Sequence, residues 1–305
     1  MTCGCLSSKP AVMTDRDNPS GAGATAPFDL NRPDKQTLPL VLASPHSGRA
    51  YSDEFIAASR LDALSLRRSE DAYVDEVYAL APEAGAPLLC ANFPRAFVDP
   101  NREAWELDPT MFADALPPHA QTRSERVRAG FGTIPRFVAD GAEIYTGQLK
   151  ADEARERIEA LYFPYHEALK TLVEGTRKEY GICVLLDCHS MPSIGGPSDR
   201  DAGRKRKDII LGDRYGASCA PALVAQAEEV FAGLGLSTAR NDPYAGAFTT
   251  EHYGQPASGV HTIQIELNRG LYLNERRIEV SPGLEPLRTT MKAFVARFGA
   301  AVLAQ

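Results

Sequence analysis

Leu185-Leu186-Asp187-Cys188-His189-Ser190-Met191 is an apolar run that ends on a polar cluster, and Leu40-Val41-Leu42-Ala43-Ser44-Pro45-His46-Ser47-Gly48 repeats the arrangement. Each reads as a buried strand that delivers an imidazole at its C-terminal end, the rim where open α/β sheets place their ligands. Further short apolar runs near 87–91, 208–212, 235–239 and 262–267 alternate with amphipathic stretches near 70–80, 151–178, 214–233 and 284–303. This alternation predicts an α/β protein whose mostly parallel sheet is covered by helices on both faces. In the longest stretch, Ile158, Leu161, Tyr162, Tyr165, Leu169, Leu172 and Val173 keep a helical spacing, and Pro164 is expected to kink or divide the helix.

Residues 1–36 are rich in Pro, Gly, Ala, Ser, Asp and Asn without periodicity, so they are expected to form a disordered leader. Residues 37–305 are expected to form one domain. A chain of 305 residues with 44% hydrophobic residues can bury one large core. The net charge of -7 gives no general attraction to nucleic acid or anionic membrane and favours a small-molecule partner. The basic run Arg204-Lys205-Arg206-Lys207 is read as a solvated loop. No window is apolar enough to span a membrane and the N-terminus lacks a signal-peptide core, so a cytoplasmic location is expected. Cys90, Cys183 and Cys188 lie in or beside strand runs and read as buried thiols, while Cys3 and Cys5 read as incidental.

A hydrolytic metal site needs about three His or carboxylate ligands, an open position for water and a nearby base. His46 and His189 stand at strand ends, and Asp187 shares a strand face with His189 while Cys188 points the other way. Ser69-Glu70-Asp71-Ala72-Tyr73-Val74-Asp75 can supply a carboxylate ligand; it reads as a helix start with Asp71 and Asp75 on one face, where acids also meet the helix dipole without any metal. Glu266, inside Thr262-Ile263-Gln264-Ile265-Glu266-Leu267-Asn268-Arg269, is expensive to bury unless paired, for instance with Arg269, or used as a base.

Asn92-Phe93-Pro94-Arg95-Ala96-Phe97-Val98-Asp99-Pro100-Asn101-Arg102 follows a strand and offers Arg95, Asn101 and Arg102, with arginine suited to gripping a carboxylate. The hydroxyl-rich loop Tyr244–Gly254 supplies Thr249, His252 and Tyr253 as substrate-contact candidates. Residues 192–207 read as a lid or site wall. His261 reads as flanking the site or structural, His166 as a packed helix residue and His119 as an exposed loop residue.

These segments, in order across residues 38–280, resemble the N-formylglutamate amidohydrolase family. The resemblance rests on Ser44–Gly48, Glu70–Asp75, Phe97–Arg102, Asp187–Met191, Tyr253-Gly254 with its preceding loop, and Ile263–Leu267. It implies a phosphorylase/hydrolase-like three-layer α/β/α fold with a mixed central sheet, distantly similar to zinc carboxypeptidases. It also implies His46, Asp71 and His189 as ligands of one Zn2+ or another divalent ion, with Glu70 as the alternative acidic ligand. Asn101 and Arg102 are implied as substrate-carboxylate binders, Glu266 as the catalytic base and Arg95 as the group that steadies the oxyanion. Two departures stand out: Arg49 replaces the acidic ligand that zinc carboxypeptidases carry three residues after the first histidine, and Ala72-Tyr73 replaces a frequent tryptophan-histidine pair.

The implied activity is metal-dependent hydrolysis of the amide of an N-acyl amino acid, first of all N-formyl-L-glutamate to formate and L-glutamate. The alternatives are another N-acyl amino acid or small peptide as substrate, or a catalytically silent binding protein of the same fold.

Overall fold

The computed structural model describes residues 26–138, 141–197 and 199–304. Seven strands form one sheet: β1 (Phe28–Asn31), β2 (Leu40–Ser44), β3 (Leu88–Ala91), β4 (Cys183–Met191), β5 (Ile209–Gly212), β6 (Thr238–Arg240) and β7 (Val260–Asn268), in the spatial order β1-β3-β2-β4-β7-β5-β6. The sheet is mixed: β1 is antiparallel to β3 and β5 to β7, while the other four pairings are parallel. A hairpin of β8 (Leu273–Asn274) and β9 (Glu279–Val280) stands apart.

Every residue of β4 and β7 is buried, as expected of central strands covered on both faces. Alternation then divides their side chains between two cores. Val184, Leu186, Cys188, Ile263, Ile265 and Leu267 enter one core, closed by helices Pro221–Gly233 and Leu284–Leu303. There Phe231 and Phe294 stack with ring centroids 3.8 Å apart. Cys183, Leu185, Val41 and Leu89 enter the other, beneath helix Phe163–Tyr180. The result is the expected α/β/α layering.

Three local expectations change. Phe28–Asn31 lies within the segment read as leader, yet pairs with β3 and half-buries Phe28 and Leu30. Residues 1–25, which include Cys3 and Cys5, lie outside the described residues. The helix expected over 70–80 is a single turn, Val74–Val77, entered through Tyr73 in a left-handed conformation, so Asp71 precedes it and shares no helical face with Asp75. Asp75 pairs instead with Arg49 at 2.9 Å.

The long helix divides as expected: Ala151–Arg157, a π turn over Ile158–Tyr162, then Phe163–Tyr180. Pro164 has no N–H to give the preceding turn, and the wider turn absorbs the mismatch. Cys90, Cys183, Cys188 and Cys219 are free and buried. Among the described residues no helix is long and apolar enough to cross a membrane.

The loop after β2 presses its backbone onto the segment after β3. A Cβ on Gly48 would stand 2.3 Å from the Phe93 carbonyl oxygen, whereas one on Gly147 would meet nothing within 4 Å. Gly48→Ala is therefore expected to cost about 2 kcal/mol in urea unfolding. Gly147→Ala should stay within about 0.5 kcal/mol of the parent. Equal losses at the two positions would refute the close-approach argument.

Candidate active site

Parallel pairing brings the C-terminal ends of β2, β3, β4 and β7 to one rim. Register places Asp187 beside Gln264 and His189 beside Glu266 on neighbouring strands, all on the face away from Ile263 and Ile265. His46 follows β2, and its carbonyl accepts from the Asp71 N–H at 3.0 Å, which draws the 70–73 turn over the rim.

His46, Asp71 and His189 form a buried group whose ligand atoms lie within 4.8 Å of one another. Asp71 Oδ2 is 3.2 Å from His46 Nδ1 and 2.8 Å from His189 Nδ1. The opposite ring nitrogens face other carboxylates: His46 Nε2 donates to Asp99 Oδ1 at 2.7 Å, and His189 Nε2 lies 3.0 Å from Asp187 Oδ1. Two imidazoles and a carboxylate that converge, each imidazole backed by a second carboxylate, match the donor set and outer shell of a divalent metal site. The residues fit, and the group can hold a metal ion.

The charges at the site shift one another. Burial works against the Asp71 carboxylate, but hydrogen bonds and charge from His189 and His46 hold its pKa well below the usual range. For His189, burial is outweighed by Asp187 and Asp71, and the ring is pushed well above the ordinary imidazole value. Burial lifts the Glu266 carboxyl to about 7 despite the opposing His189 charge. Gln264 Nε2 donates to its Oε1 at 2.6 Å.

Glu70, the alternative ligand, is buried but committed elsewhere: Tyr51 donates to it at 2.8 Å, and Arg67 Nε reaches the same oxygen at 3.0 Å. Asp99 is the residue that sequence reasoning misses. Its Oδ1 takes both the His46 N–H and the Asn101 backbone N–H, and its Oδ2 is 2.8 Å from Arg95 and 3.6 Å from Arg102. The available signal was a carboxylate embedded between Val98 and two arginine positions, too costly to bury without cations.

Arg95 and Arg102 thus line the rim beside the His46 partner. Arg102 is anchored by donating to the carbonyls of Phe131 and Asn101. Asn101, expected to grip substrate, spends its amide internally: Nδ2 stands 3.1 Å from His189 Nε2 and 3.4 Å from Asp187 Oδ2, and Oδ1 accepts from the Thr249 N–H at 2.8 Å.

The helix Phe248–Tyr253 differs from the open loop expected there. Thr249 is buried against Asn101, but His252 is exposed and stacks on Phe248. The Tyr253 hydroxyl lies 2.9 Å from His166 Nδ1 rather than among the converging ligands. His261 lies at the opposite end of β7, where its Nδ1 accepts from the Ala220 N–H, so it does not flank the site. His119 is exposed and meets Trp105 edge-on. Arg206, within the supposed solvated basic run, is buried between Asp199 and Asp201 beneath the Tyr244 ring and also donates to the Pro192 carbonyl.

A buried His-Asp-His group that could hold a metal ion, with a carboxyl on the adjacent strand at the rim of an α/β/α sheet, has the donor set that metal-dependent hydrolases use. A model of the N-formylglutamate amidohydrolase family matches residues 38–273. The N-formylglutamate deformylases of Pseudomonas putida and Pseudomonas aeruginosa are each 30% identical over 78% of this chain, covering 83% and 84% of their own lengths. The crystal structure of N-formylglutamate amidohydrolase from Ralstonia eutropha JMP134 superposes with a TM-score of 0.83 at 35% identity, over 91% of this chain and 99% of that one. The gene product Atu2144 from Agrobacterium tumefaciens, 17% identical with a TM-score of 0.60, shares the fold. The chain belongs to the N-formylglutamate amidohydrolase family.

One neighbour of the site sets a pH limit on stability. His166 lies 2.8 Å through Nε2 from the Pro100 carbonyl and 2.9 Å through Nδ1 from the Tyr253 hydroxyl, so its neutral form suits both partners. Burial pushes its pKa down to about 4. The unfolded ring titrates near 6.5, so stability is full above that value and falls as pH drops from about 6.5 toward 4, because only the unfolded chain takes the proton. Between pH 7 and pH 5 this should cost about 2 kcal/mol. His166→Gln, which keeps a donor and an acceptor, should lose that part of the pH dependence in urea unfolding. An unchanged slope would show that His166 does not carry it.

Proposed function

We propose that this protein hydrolyses the amide of N-formyl-L-glutamate to formate and L-glutamate at a divalent metal, zinc foremost, held by His46, Asp71 and His189. The reading is carried by the convergence of both imidazole Nδ1 atoms on Asp71 Oδ2, next to Glu266 on the adjacent strand. When bound, the ion supplies polarisation of the formyl carbonyl and lowers the pKa of water from about 15.7 toward about 7.

Glu266 is the base. Its carboxyl titrates at about 7 through burial, a value suited to exchanging protons near neutrality. It takes a proton as the water oxygen attacks the formyl carbon, and delivers it to the amine nitrogen as the C–N bond breaks. Arg95, anchored to the same Asp99 carboxylate that takes the His46 N–H, steadies the oxyanion that develops. Arg102 holds a substrate carboxylate, orienting the amide toward Glu266. Asn101 and Thr249 brace the site through their own hydrogen bond, and Tyr253 anchors the helix that carries Thr249 by its bond to His166. His252, exposed on the same helix, meets substrate from the solvent side. The protein acts on a small solute and is read as cytoplasmic.

The direct test is release of formate and glutamate from N-formyl-L-glutamate by zinc-loaded protein, with chelator-treated protein as blank. Metal-dependent release is expected, and no release from protein holding one equivalent of zinc would reject this substrate. Glu266→Gln should retain zinc while kcat falls by about 10²- to 10⁴-fold. Undiminished turnover would remove Glu266 from the mechanism. Arg102→Ala should raise KM for N-formylglutamate by about tenfold or more with a smaller effect on kcat. An equal loss on a formamide lacking carboxylates would sink the proposed contact.

A further inference from the structure

Asp71 is held at both carboxylate oxygens, and by different groups. Oδ2 faces the two imidazoles. Oδ1 is turned away from them: Arg269 Nη2 donates to it at 3.1 Å and the Ser190 hydroxyl at 3.3 Å. Arg269 is itself locked, with Nε donating to Ser190 Oγ at 3.0 Å and Nη2 also reaching the Glu70 carbonyl at 2.6 Å. Its backbone is fixed too, because the preceding Asn268 side chain accepts from the Gly270 N–H and donates to the carbonyls of Arg206 and Lys207. Arg269 is therefore committed to Asp71 rather than available as the pairing partner of Glu266 that the sequence suggests.

A carboxylate can ligate a metal through one oxygen or both. Here the second oxygen is claimed by a charge-assisted bond from a guanidinium whose planar fork also grips Ser190 and the Glu70 backbone. Swinging Oδ1 toward the imidazoles would break two hydrogen bonds and leave the largely buried guanidinium short of an acceptor.

We propose that Arg269, with Ser190, is a positioning clamp that restricts Asp71 to one-oxygen ligation and so keeps coordination positions open for water and the substrate carbonyl. This inference rests on the metal-site reading above. It gives the end of β7 two duties, since Glu266 and Arg269 are three residues apart, one exchanging protons and the other shaping the metal's ligand.

The test is the visible spectrum of the cobalt(II)-loaded protein. With three one-atom protein ligands and a water, the parent should give intense four-coordinate bands. Arg269→Met should shift them to the weaker pattern of five-coordinate cobalt as Asp71 becomes bidentate. Arg269→Lys, which keeps the charge but not the fork, should restore only part of the parent's band intensity. A folded Arg269→Met protein with the parent's spectrum overturns the clamp. If that variant does not fold, Ser190→Ala decides: a spectral change in the same direction supports the clamp, and an unchanged spectrum refutes it. A parent protein that fails to take up one equivalent of cobalt would instead overturn the metal-site reading, so the two failures are distinct.

Discussion

Nine consecutive register pairs between β4 and β7, from Cys183 opposite Val260 to Met191 opposite Asn268, are the constraint on which the site depends. Both strands are buried throughout, so a slip of one residue in either would turn its polar pair, Asp187 and His189 or Gln264 and Glu266, into the apolar core that receives Leu186, Cys188, Ile263 and Ile265. Hydrophobic burial on one face therefore enforces polar adjacency on the other. The parallel arrangement extends this to β2 and β3, so His46 and the segment bearing Asp99 reach the same rim.

Collecting carboxylates at a buried rim is costly, and the surrounding residues offset the cost with arginine cations and hydrogen-bonding imidazoles. Asp71, Asp99, Asp187 and Glu266 are each under a tenth exposed. Asp99 is compensated by Arg95, Arg102 and His46, and Asp71 by Arg269 and both imidazoles. Removing one partner of such a set leaves an uncompensated buried charge, which costs far more than an exposed pair contributes. The same network that orients the imidazoles thus also ties the first histidine loop, the arginine segment and the end of β7 into one unit.

The helical layer reaches the rim through polar side chains. Tyr162, in the π turn, donates to the Arg102 carbonyl at 2.8 Å, and His166 one turn later contacts the Pro100 carbonyl and Tyr253. These contacts hold the Asp99–Arg102 segment from above, while Asp99 holds it from below. The widened turn that accommodates Pro164 also aims Tyr162 at this segment, which couples a local backbone requirement to the architecture of the site.

Sequence alone determined the elements whose periodicity is long and whose burial is complete. Leu284–Leu303 matches its apolar stripe, and β2, β4 and β7 match their runs, with His46 and His189 at the C-terminal ends of their strands and Glu266 inside its own, as expected. Short or half-buried elements were beyond it: β1 buries one face of four residues, and the 70–80 helix gives way to a turn because Asp71 must leave the helix to meet His46 and His189. Nor can spacing distinguish Glu70 from Asp71, or reveal that Asp99 backs His46 and Arg269 grips Asp71. Those choices depend on contacts between segments 25 to 198 residues apart. Local preference encodes which residues can form a strand or helix, but which charge compensates which is decided only when folding brings distant charges into the same water-poor space.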